Sequence, residues 1–227
     1  MKENTANKSL WKRITGRSEF SIFVVLIVLC ILMSFLSEYF LKVSNIFNIF
    51  NQISRYGIVS VGMALVIISG GIDLSVGYVV GLTACLCAYF SSAMALPWFV
   101  VLPLTLLVGM IIGLVNGLLV TRVKLVPFIV TMAMGKILSG CTLLLTRGRP
   151  IKFQSGLAWL GKGYIGPIPV AVIVMLLTII LGSIFAQKTL TGRNIYAIGN
   201  NERTAQLSGI NVKALKTLTY IITSTLC

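Results

Sequence analysis

The sequence predicts an all-α, polytopic membrane protein with about six to seven membrane segments and a broken or re-entrant helix near Gly70–Asp73. Hydrophobic residues make up 57% of the chain and charged residues only 11%, whereas soluble domains carry about 25% charged residues. Several apolar runs also approach the roughly 20 residues that a helix needs to cross a bilayer. Membrane segments therefore describe this chain better than soluble domains do.

The apolar runs define the order of the predicted segments. They fall at about 20–41, 57–69, 74–94, 98–121, 125–146 and 167–186, and another begins near 214. The first run is too long for a cleavable signal peptide, which predicts a cytoplasmic tail at 1–19 and a transmembrane domain at 20–227, ending inside a membrane segment. The run 57–69 would reach only about 20 Å and is not expected to cross alone as a straight helix.

The lysines and arginines predict the orientation. A cytoplasmic N-terminus places twelve of them inside, at 2, 8, 12, 13, 17, 122, 124, 188, 193, 203, 213 and 216. Six lie on the other side, at 42, 55, 147, 149, 152 and 162, and Lys136 falls within a span. Because positive residues favour the cytoplasmic side, this orientation is preferred. The net charge of +14 thus follows the ends of the apolar runs, and we expect no nucleic acid partner.

The stretch GGIDLSVG at 70–77 contains Asp73, the only aspartate of the chain. Gly70 and Gly71 are typical of a helix end, and Asp73 or Ser75 is suited to cap the next helix, which carries Gly77 in its first turn. Non-helical backbone at membrane depth needs protein or a water-filled cavity around it. Two interpretations remain open: a capping aspartate in a kinked helix, or a helix break that lines the substrate path.

Small residues recur every four positions on the span 98–121, at Gly109, Gly113 and Gly117. This strip allows a second helix to approach closely, within the chain or across a dimer, although glycine is also simply tolerated in membrane helices. Asn116 lies beside the strip and is expected to form a hydrogen bond across the interface.

The sequence contains no recognisable set of catalytic or metal-binding residues. Histidine is absent, the five cysteines are scattered, and no metal ligand set or paired acids are recognisable, so we expect neither an enzyme nor a bound metal. The stretch GLAWLGKG at 156–163 comes close to a phosphate-binding loop but has Gly163 in place of the final Ser or Thr. We therefore expect no nucleotide site in this chain.

Three motifs together resemble a known family. They are GGIDLSVG at 70–77, GLVNGLLVTRVKLVPFIVTMAMGKILSG at 113–140 and TGRNIYAIGNNERTAQLSGINVKALK at 191–216. They are similar to the permease subunits of bacterial ABC importers for ribose, xylose, galactose and autoinducer-type sugars, and the resemblance covers nearly the whole chain after the tail.

The resemblance implies a sugar-importing permease in the bacterial inner (plasma) membrane, working as a homodimer or with a related chain. It implies an ATP-binding subunit that carries ATP and magnesium, and a periplasmic or extracellular sugar-binding protein. The chain itself would bind no cofactor.

The sequence departs from the family pattern in places. Ser139 precedes Gly140 where the family usually has an arginine, and Lys136, one helical turn earlier, could restore the charge. The third motif reads Gly199-Asn200-Asn201 instead of glycine–glycine–asparagine. Family members continue for roughly another third of their length, so we expect a C-terminally truncated sequence, either a fragment or a shortened gene product.

The resemblance also implies a cytoplasmic coupling loop at about 187–213, with a short helix around Ala197–Leu207 that inserts into a groove of the ATPase. Ile195, Ile198, Leu207 and Ile210 are its apolar anchors. An interfacial helix lying on the membrane is the alternative interpretation. The residues assigned to ATPase coupling are Gly192, Arg193, Ala197, Gly199, Asn201, Ala205 and Gly209.

The sequence also leaves open a second class of function, that of a self-contained transport protein. The chain could be a self-contained secondary transporter or channel that uses Asp73 and Lys136 as a charged intramembrane pair. The long basic loop at 187–213 favours the importer subunit, because a self-contained carrier has little need for a structured docking segment.

Overall fold

The structure is a computed structural model that describes residues 18–153 and 155–227. Most of the predicted tail at 1–19 lies outside these residues. The chain forms two compact units, Met1–Ile49 and Phe50–Cys227. The described part of the first unit contains α1 (Ser18–Leu36) and the beginning of α2 (Val43–Ile68).

The second unit contains the rest of α2 and all later elements. In chain order these are α3 (Val76–Ala88), a π-helical turn (Tyr89–Ala93), α4 (Trp98–Thr121), α5 (Pro127–Thr146), α6 (Ala158–Lys162), β1 (Tyr164–Ile165), β2 (Ile168–Pro169), α7 (Val170–Lys188), α8 (Leu190–Asn200), α9 (Glu202–Leu207) and α10 (Val212–Thr225). The two short strands form an antiparallel hairpin, with Tyr164 opposite Pro169.

Five of the described helices are long and apolar enough to cross a membrane by length and composition: Val43–Ile68, Val76–Ala93, Trp98–Thr121, Pro127–Thr146 and Val170–Lys188. Helix α1 contains a further, shorter apolar segment at Ile22–Leu36, whereas the fourteen residues of α10 include two lysines and several hydroxyl side chains. The all-α polytopic fold and the helix break after residue 68 are therefore confirmed.

The prediction of a short run at 57–69 was wrong. Helix α2 has 26 residues and begins at Val43, so it is about 39 Å long and exceeds a hydrocarbon core of about 30 Å. Its N-terminal half carries Asn45, Asn48, Asn51 and Arg55. These residues lower the local hydropathy without breaking the helical backbone, which is why the apolar run underestimated the helix.

Helix α10 packs between α2 and α4 through small residues on both sides. A β-carbon at Gly62 of α2 would lie 2.6 Å from Thr223 Cα, and one at Gly113 of α4 would lie 2.5 Å from the Tyr220 carbonyl oxygen. Such distances are too short for any side chain, so the helix backbones are in direct contact. Close packing of this kind replaces the hydrophobic effect as the main attraction between helices in lipid.

The remaining helices pack around this arrangement. Val79 and Leu82 of α3, Ile112 of α4 and Leu138 of α5 form one buried apolar cluster. Helix α7 packs on α2, where a β-carbon at Gly57 would lie 2.5 Å from the Met175 sulfur. The second unit is thus a helical bundle that holds the break after α2 from several sides.

Helices α8 and α9 form a surface segment between α7 and α10. Each begins with a capped first turn: Thr189 Oγ1 accepts a hydrogen bond from Gly192 N at 3.0 Å, and Asn201 Oδ1 accepts one from Thr204 N at 3.0 Å. These caps satisfy amides that a helix start leaves free. The helix predicted around Ala197–Leu207 is therefore divided between α8, which ends at Asn200, and α9, which begins after the Asn201 cap.

Candidate functional site

The break between α2 and α3 is produced by a glycine in the left-handed conformation. Gly70 has φ +78°, Gly70 N donates to Ile67 O at 2.9 Å, and Gly71 N donates to Val66 O at 2.9 Å. This pair of bonds is a Schellman motif, which closes a helix and satisfies its last carbonyls. The chain then runs through Asp73 and re-enters a helix at Val76.

Asp73 stabilises the turn that leads into α3. Its Oδ1 accepts hydrogen bonds from Ser75 N at 2.8 Å and from Ser75 Oγ at 2.6 Å. Ser75 is the residue before the first turn of α3, but its own side chain forms no capping bond. Of the two predicted capping residues, Asp73 therefore accepts the hydrogen bonds, and it lies two residues before the N-cap Ser75.

A third side chain from α4 completes this hydrogen-bonded chain. Asn116 Nδ2 donates to Ser75 Oγ at 3.0 Å, and the single hydroxyl proton of Ser75 is already donated to Asp73. Ser75 Oγ can thus only accept from Asn116, which fixes the orientation of the amide. We name Asp73, Ser75 and Asn116 the polar triad.

The triad contains two buried oxygens without a partner among the described residues, Asp73 Oδ2 and Asn116 Oδ1. Asp73 is 1% exposed and Asn116 is fully buried. Leaving such an acceptor unsatisfied costs about 1–3 kcal/mol. One carboxylate oxygen of Asp73 therefore stabilises the turn, and the other is available to accept a hydrogen bond from a ligand.

Other elements hold the backbone of the break. Leu74 N donates to Thr131 Oγ1 of α5 at 3.1 Å, and Tyr220 OH of α10 donates to Ile72 O at 3.3 Å. The hydroxyl oxygen of Ser69 lies 3.5 Å from that of Thr219, also on α10.

Thr131, Tyr220, Thr219 and Ser69 were not among the residues predicted from the sequence. The signal that would have found the α10 residues is the run of hydroxyl side chains in its second half, from Thr217 to Thr225.

The depth of the triad follows from its partners. Asn116 lies five residues before the end of α4 and Thr131 lies four residues after the start of α5. At 1.5 Å per residue these positions are about 6–8 Å inside those helix ends. The triad therefore lies near the end of the bundle at which α4 ends and α5 begins.

The structure also places the other residues predicted near the break, which are Gly71, Gly77 and Lys136. A β-carbon at Gly71 would lie 2.8 Å from Tyr220 OH, whereas one at Gly77 would meet no atom within 4 Å. Lys136 lies on the exposed face of α5, with its Nζ 5.9 Å from the Tyr78 ring centroid. The predicted charged pair of Asp73 and Lys136 is not formed, because the only ion pair in the described part of the chain joins Lys216 and Glu202.

The glycine strip of α4 meets α10 in an antiparallel arrangement. β-Carbons at Gly109 and Gly117 would lie 2.5 Å from Ser224 O and 2.8 Å from Thr217 Cα. The hydroxyl oxygens of Thr121 and Thr217 approach to 2.9 Å across the same interface. The strip thus packs within the chain.

The surface segment buries several residues that had been assigned to docking. Ile195, Ile198 and Ala205 are 0%, 2% and 4% exposed, and the last two join Val212 in an apolar cluster. The prediction that Ile195 and Ile198 are anchors for a partner was wrong, because they hold the segment onto its own bundle. Leu207, by contrast, is 82% exposed.

The glycines of the segment contribute close contacts of their own. A β-carbon at Gly199 would overlap the Ile68 carbonyl oxygen at the end of α2, and one at Gly192 would overlap the carbonyls of Phe185 and Ala186. Gly209 has φ +81° and separates α9 from α10. Of the other assigned residues, Arg193 and Asn201 are exposed and Ala197 is half-buried.

A bundle of membrane-length helices around a broken helix with a buried carboxylate is typical of a transport protein. Residues 45–227 match the family described as the permease component of the branched-chain amino acid transport system. The chain belongs to this permease family. No solved structure matches the chain.

Several curated relatives are similar over most of the chain. It is 37% identical to the ribose import permease protein of Haemophilus influenzae, over 98% of this chain and 69% of that protein. It is 38% identical to the ribose import permease protein of Bacillus subtilis, over 87% of this chain and 62% of that protein. It is 37% identical to the galactofuranose transporter permease protein of Escherichia coli K12, over 79% of this chain and 52% of that protein. The chain thus spans between about half and 69% of the length of these relatives.

Proposed function

We propose that the chain is the membrane-spanning subunit of an ATP-driven importer that carries a ribose-like monosaccharide across the bacterial inner membrane. The observation that carries the proposal is the 37% identity to a ribose import permease over 98% of the chain. Other relatives are named as permeases for galactofuranose, fructose and D-allose. The family description refers to branched-chain amino acids, but these relatives all carry sugar names.

The partners follow from this proposal. An ATP-binding subunit supplies ATP hydrolysis with its own magnesium, and a periplasmic or extracellular binding protein delivers the sugar. A second permease copy, or a related chain, completes the pathway. The chain contributes the membrane path and the contact with the ATPase, and binds no cofactor itself.

The polar triad, with Gly70, Gly71 and Gly77 around it, is our proposed element of the translocation path. The unpartnered oxygens of Asp73 and Asn116 are hydrogen-bond acceptors, which complement the many hydroxyl donors of a sugar. The neighbouring glycine break gives the path a point at which the helix can change its direction.

The surface segment is our proposed coupling element. Gly199 lies against the last carbonyl of α2, and Leu207 is exposed on α9. A partner that binds α9 and displaces the surface segment would therefore also displace the end of α2, next to the break. In this proposal Gly192, Gly199 and Ala205 fix the segment to the bundle, Ala197 and Gly209 shape it, and Arg193 and Asn201 lie on its exposed side.

A self-contained carrier is less well supported. Its charged pair would require Lys136 to approach Asp73, but Lys136 lies near Tyr78 on the exposed face of α5. The only ion pair in the described part of the chain joins Lys216 and Glu202, which lie in the surface region.

The proposal is tested by uptake of radiolabelled ribose and leucine. A bacterial strain that lacks its ribose permease but keeps the ATPase and the binding protein receives the chain, or an empty vector as the control. We expect ATP-dependent ribose uptake above the vector and no leucine uptake. Leucine uptake without ribose uptake, or ribose uptake that persists when the ATPase is inactivated, would refute the sugar-importer assignment.

A further inference from the structure

A basic cleft lies at the end of the bundle where α4 ends and α5 begins; Gly70 of the helix break lines it, whereas the three residues of the polar triad do not. It has a volume of about 650 Å³, and its walls include Lys124 of the α4–α5 connection, Glu202 of α9, and Lys213 and Lys216 of α10. Glu202 and Lys216 form an ion pair and so neutralise each other. Lys124 and Lys213 are left as uncompensated positive charges.

No carboxylate side chain of the second unit is left to pair with these two lysines. The sequence has five acidic residues, and only Asp73 and Glu202 follow residue 49. Asp73 is buried against Ser75 and Glu202 is paired with Lys216. Lys124 and Lys213 are both exposed and form no ion pair among the described residues of the second unit, so the cleft keeps an excess positive charge.

Two helix starts add to the positive potential of the cleft. Pro127, the first residue of α5, and Val212, the first residue of α10, both line it. Neither helix has an acidic residue in its first turn. Since a helix N-terminus carries roughly half a positive charge, lysines beside two such ends repel them, and an anion in the cleft would relieve both.

The backbone conformation of Lys124 also supports an anion site in the cleft. Lys124 has φ +63°, a left-handed conformation that is uncommon for a residue with a side chain. Strained conformations of this kind cluster at ligand contacts and switch regions. Here the strained residue brings a lysine to the rim of a cleft that already holds an excess positive charge.

The apolar residues next to the cleft indicate which kind of anion it binds. Val123, Val126 and Ile129, which flank its α5 side, are 59%, 57% and 62% exposed. Apolar side chains beside a basic interhelical cleft match a phospholipid, whose headgroup phosphate and acyl chains occupy adjacent positions. The charge distribution also assigns this end to the cytoplasmic side, where basic clefts meet anionic lipids.

We propose that this cleft binds the phosphate of an anionic phospholipid from the inner leaflet, with Lys124 and Lys213 as its ligands. This site does not depend on the transported solute. The bound lipid would attach the α4–α5 connection and the start of α10 to the membrane surface. The ion pair between Glu202 and Lys216 would hold α9 against α10 beside the cleft.

The test measures lipid binding to the purified chain, delipidated in detergent, by native mass spectrometry with phosphatidylglycerol or phosphatidylcholine as the probe. We expect phosphatidylglycerol to bind at least tenfold more tightly. Because a basic residue near the surface contributes about 1 kcal/mol, Lys124→Gln and Lys213→Gln should each weaken phosphatidylglycerol binding roughly fivefold, and the double variant about 30-fold. Phosphatidylcholine binding and the melting temperature without lipid should not change.

The matched control is Lys188→Gln with Arg203→Gln, which removes two cations on the same predicted side but outside the cleft. An equal loss of binding in this control would overturn the site, because attraction would then follow overall charge. Equal binding of the two lipids would overturn it as well. Displacement of phosphatidylglycerol by millimolar inorganic phosphate would overturn the lipid assignment in favour of a free phosphate site.

Discussion

Gly199 of α8 lies directly against the carbonyl oxygen of Ile68, the last residue of α2, with no room for a β-carbon between them. The next residue along the chain is Ser69, whose hydroxyl lies 3.5 Å from that of Thr219 on α10, and Gly70 then makes the break. The surface segment and the helix break are thus joined through backbone contact, without an intervening flexible side chain.

The first prediction concerns this contact. Gly199→Ala should force α8 away from α2, since a β-carbon there would overlap a backbone carbonyl, and overpacking costs about 1–3 kcal/mol. We expect a lower melting temperature and a loss of sugar-stimulated ATP hydrolysis in the assembled importer.

Gly81→Ala is the control for Gly199→Ala, because a β-carbon at Gly81 of α3 would meet nothing within 4 Å. It should leave both measurements unchanged or slightly raise stability. If Gly199→Ala retained normal stability and stimulation, the contact would have no part in coupling.

The second prediction separates the two roles of Asp73. Asp73→Asn keeps an oxygen that can accept from Ser75 N and Oγ, so the turn should persist and the melting temperature should stay near that of the wild type. Transport should nevertheless fall at least tenfold, because the charge and the free acceptor are lost. Asp73→Ala should lose both hydrogen bonds and destabilise the chain by about 2 kcal/mol.

Uptake of labelled ribose and thermal unfolding measure these two effects for the same pair of variants. Wild-type uptake by Asp73→Asn would mean that Asp73 only ends the break and starts α3. Reduced uptake together with an unchanged melting temperature is the result that assigns it to the path.

The third prediction concerns the packing of α4 on α10. Gly113→Leu should prevent folding or lower stability strongly, since even the β-carbon would lie 2.5 Å from the Tyr220 carbonyl oxygen. Val115→Leu enlarges an exposed position of the same helix and should be tolerated. Expression level and melting temperature in detergent report the difference, and similar values for the two variants would contradict backbone contact at Gly113.

The sequence predicted α4 and α5 closely, because each is an apolar run with a sharp boundary at Pro97, Arg122, Pro127 or Arg147. It also predicted the break at Gly70, since a left-handed residue in a membrane helix almost requires glycine. The first half of α2 was missed because hydropathy reports lipid contact, whereas its asparagines are compatible with a helix.

The polar triad was only partly predictable. Asp73 and Ser75 adjoin in sequence, but their bond to Asn116 joins residues 41 apart and depends on how α4 packs. The roles of Ile195 and Ile198 were misread for a related reason: their spacing identifies a buried face without identifying what buries it. Only the structure shows that this face packs on the chain itself.

The last prediction concerns Leu207, which at 82% is the most exposed large hydrophobic residue of the surface segment. Its neighbour in α9, Ala205, is buried, so Leu207 points away from the bundle and is free for a partner. If α9 docks into a groove of the ATPase, Leu207 is a buried anchor of that interface, and anchors of this kind cost 2 kcal/mol or more when removed. Leu207→Glu should then leave the melting temperature of the permease unchanged while co-purification of the ATPase falls at least 30-fold. Leu207→Met keeps an apolar side chain and should retain the ATPase. If α9 instead lies on the membrane surface, Leu207→Glu should lower stability in lipid vesicles and leave ATPase co-purification intact, and that result would exclude docking through Leu207.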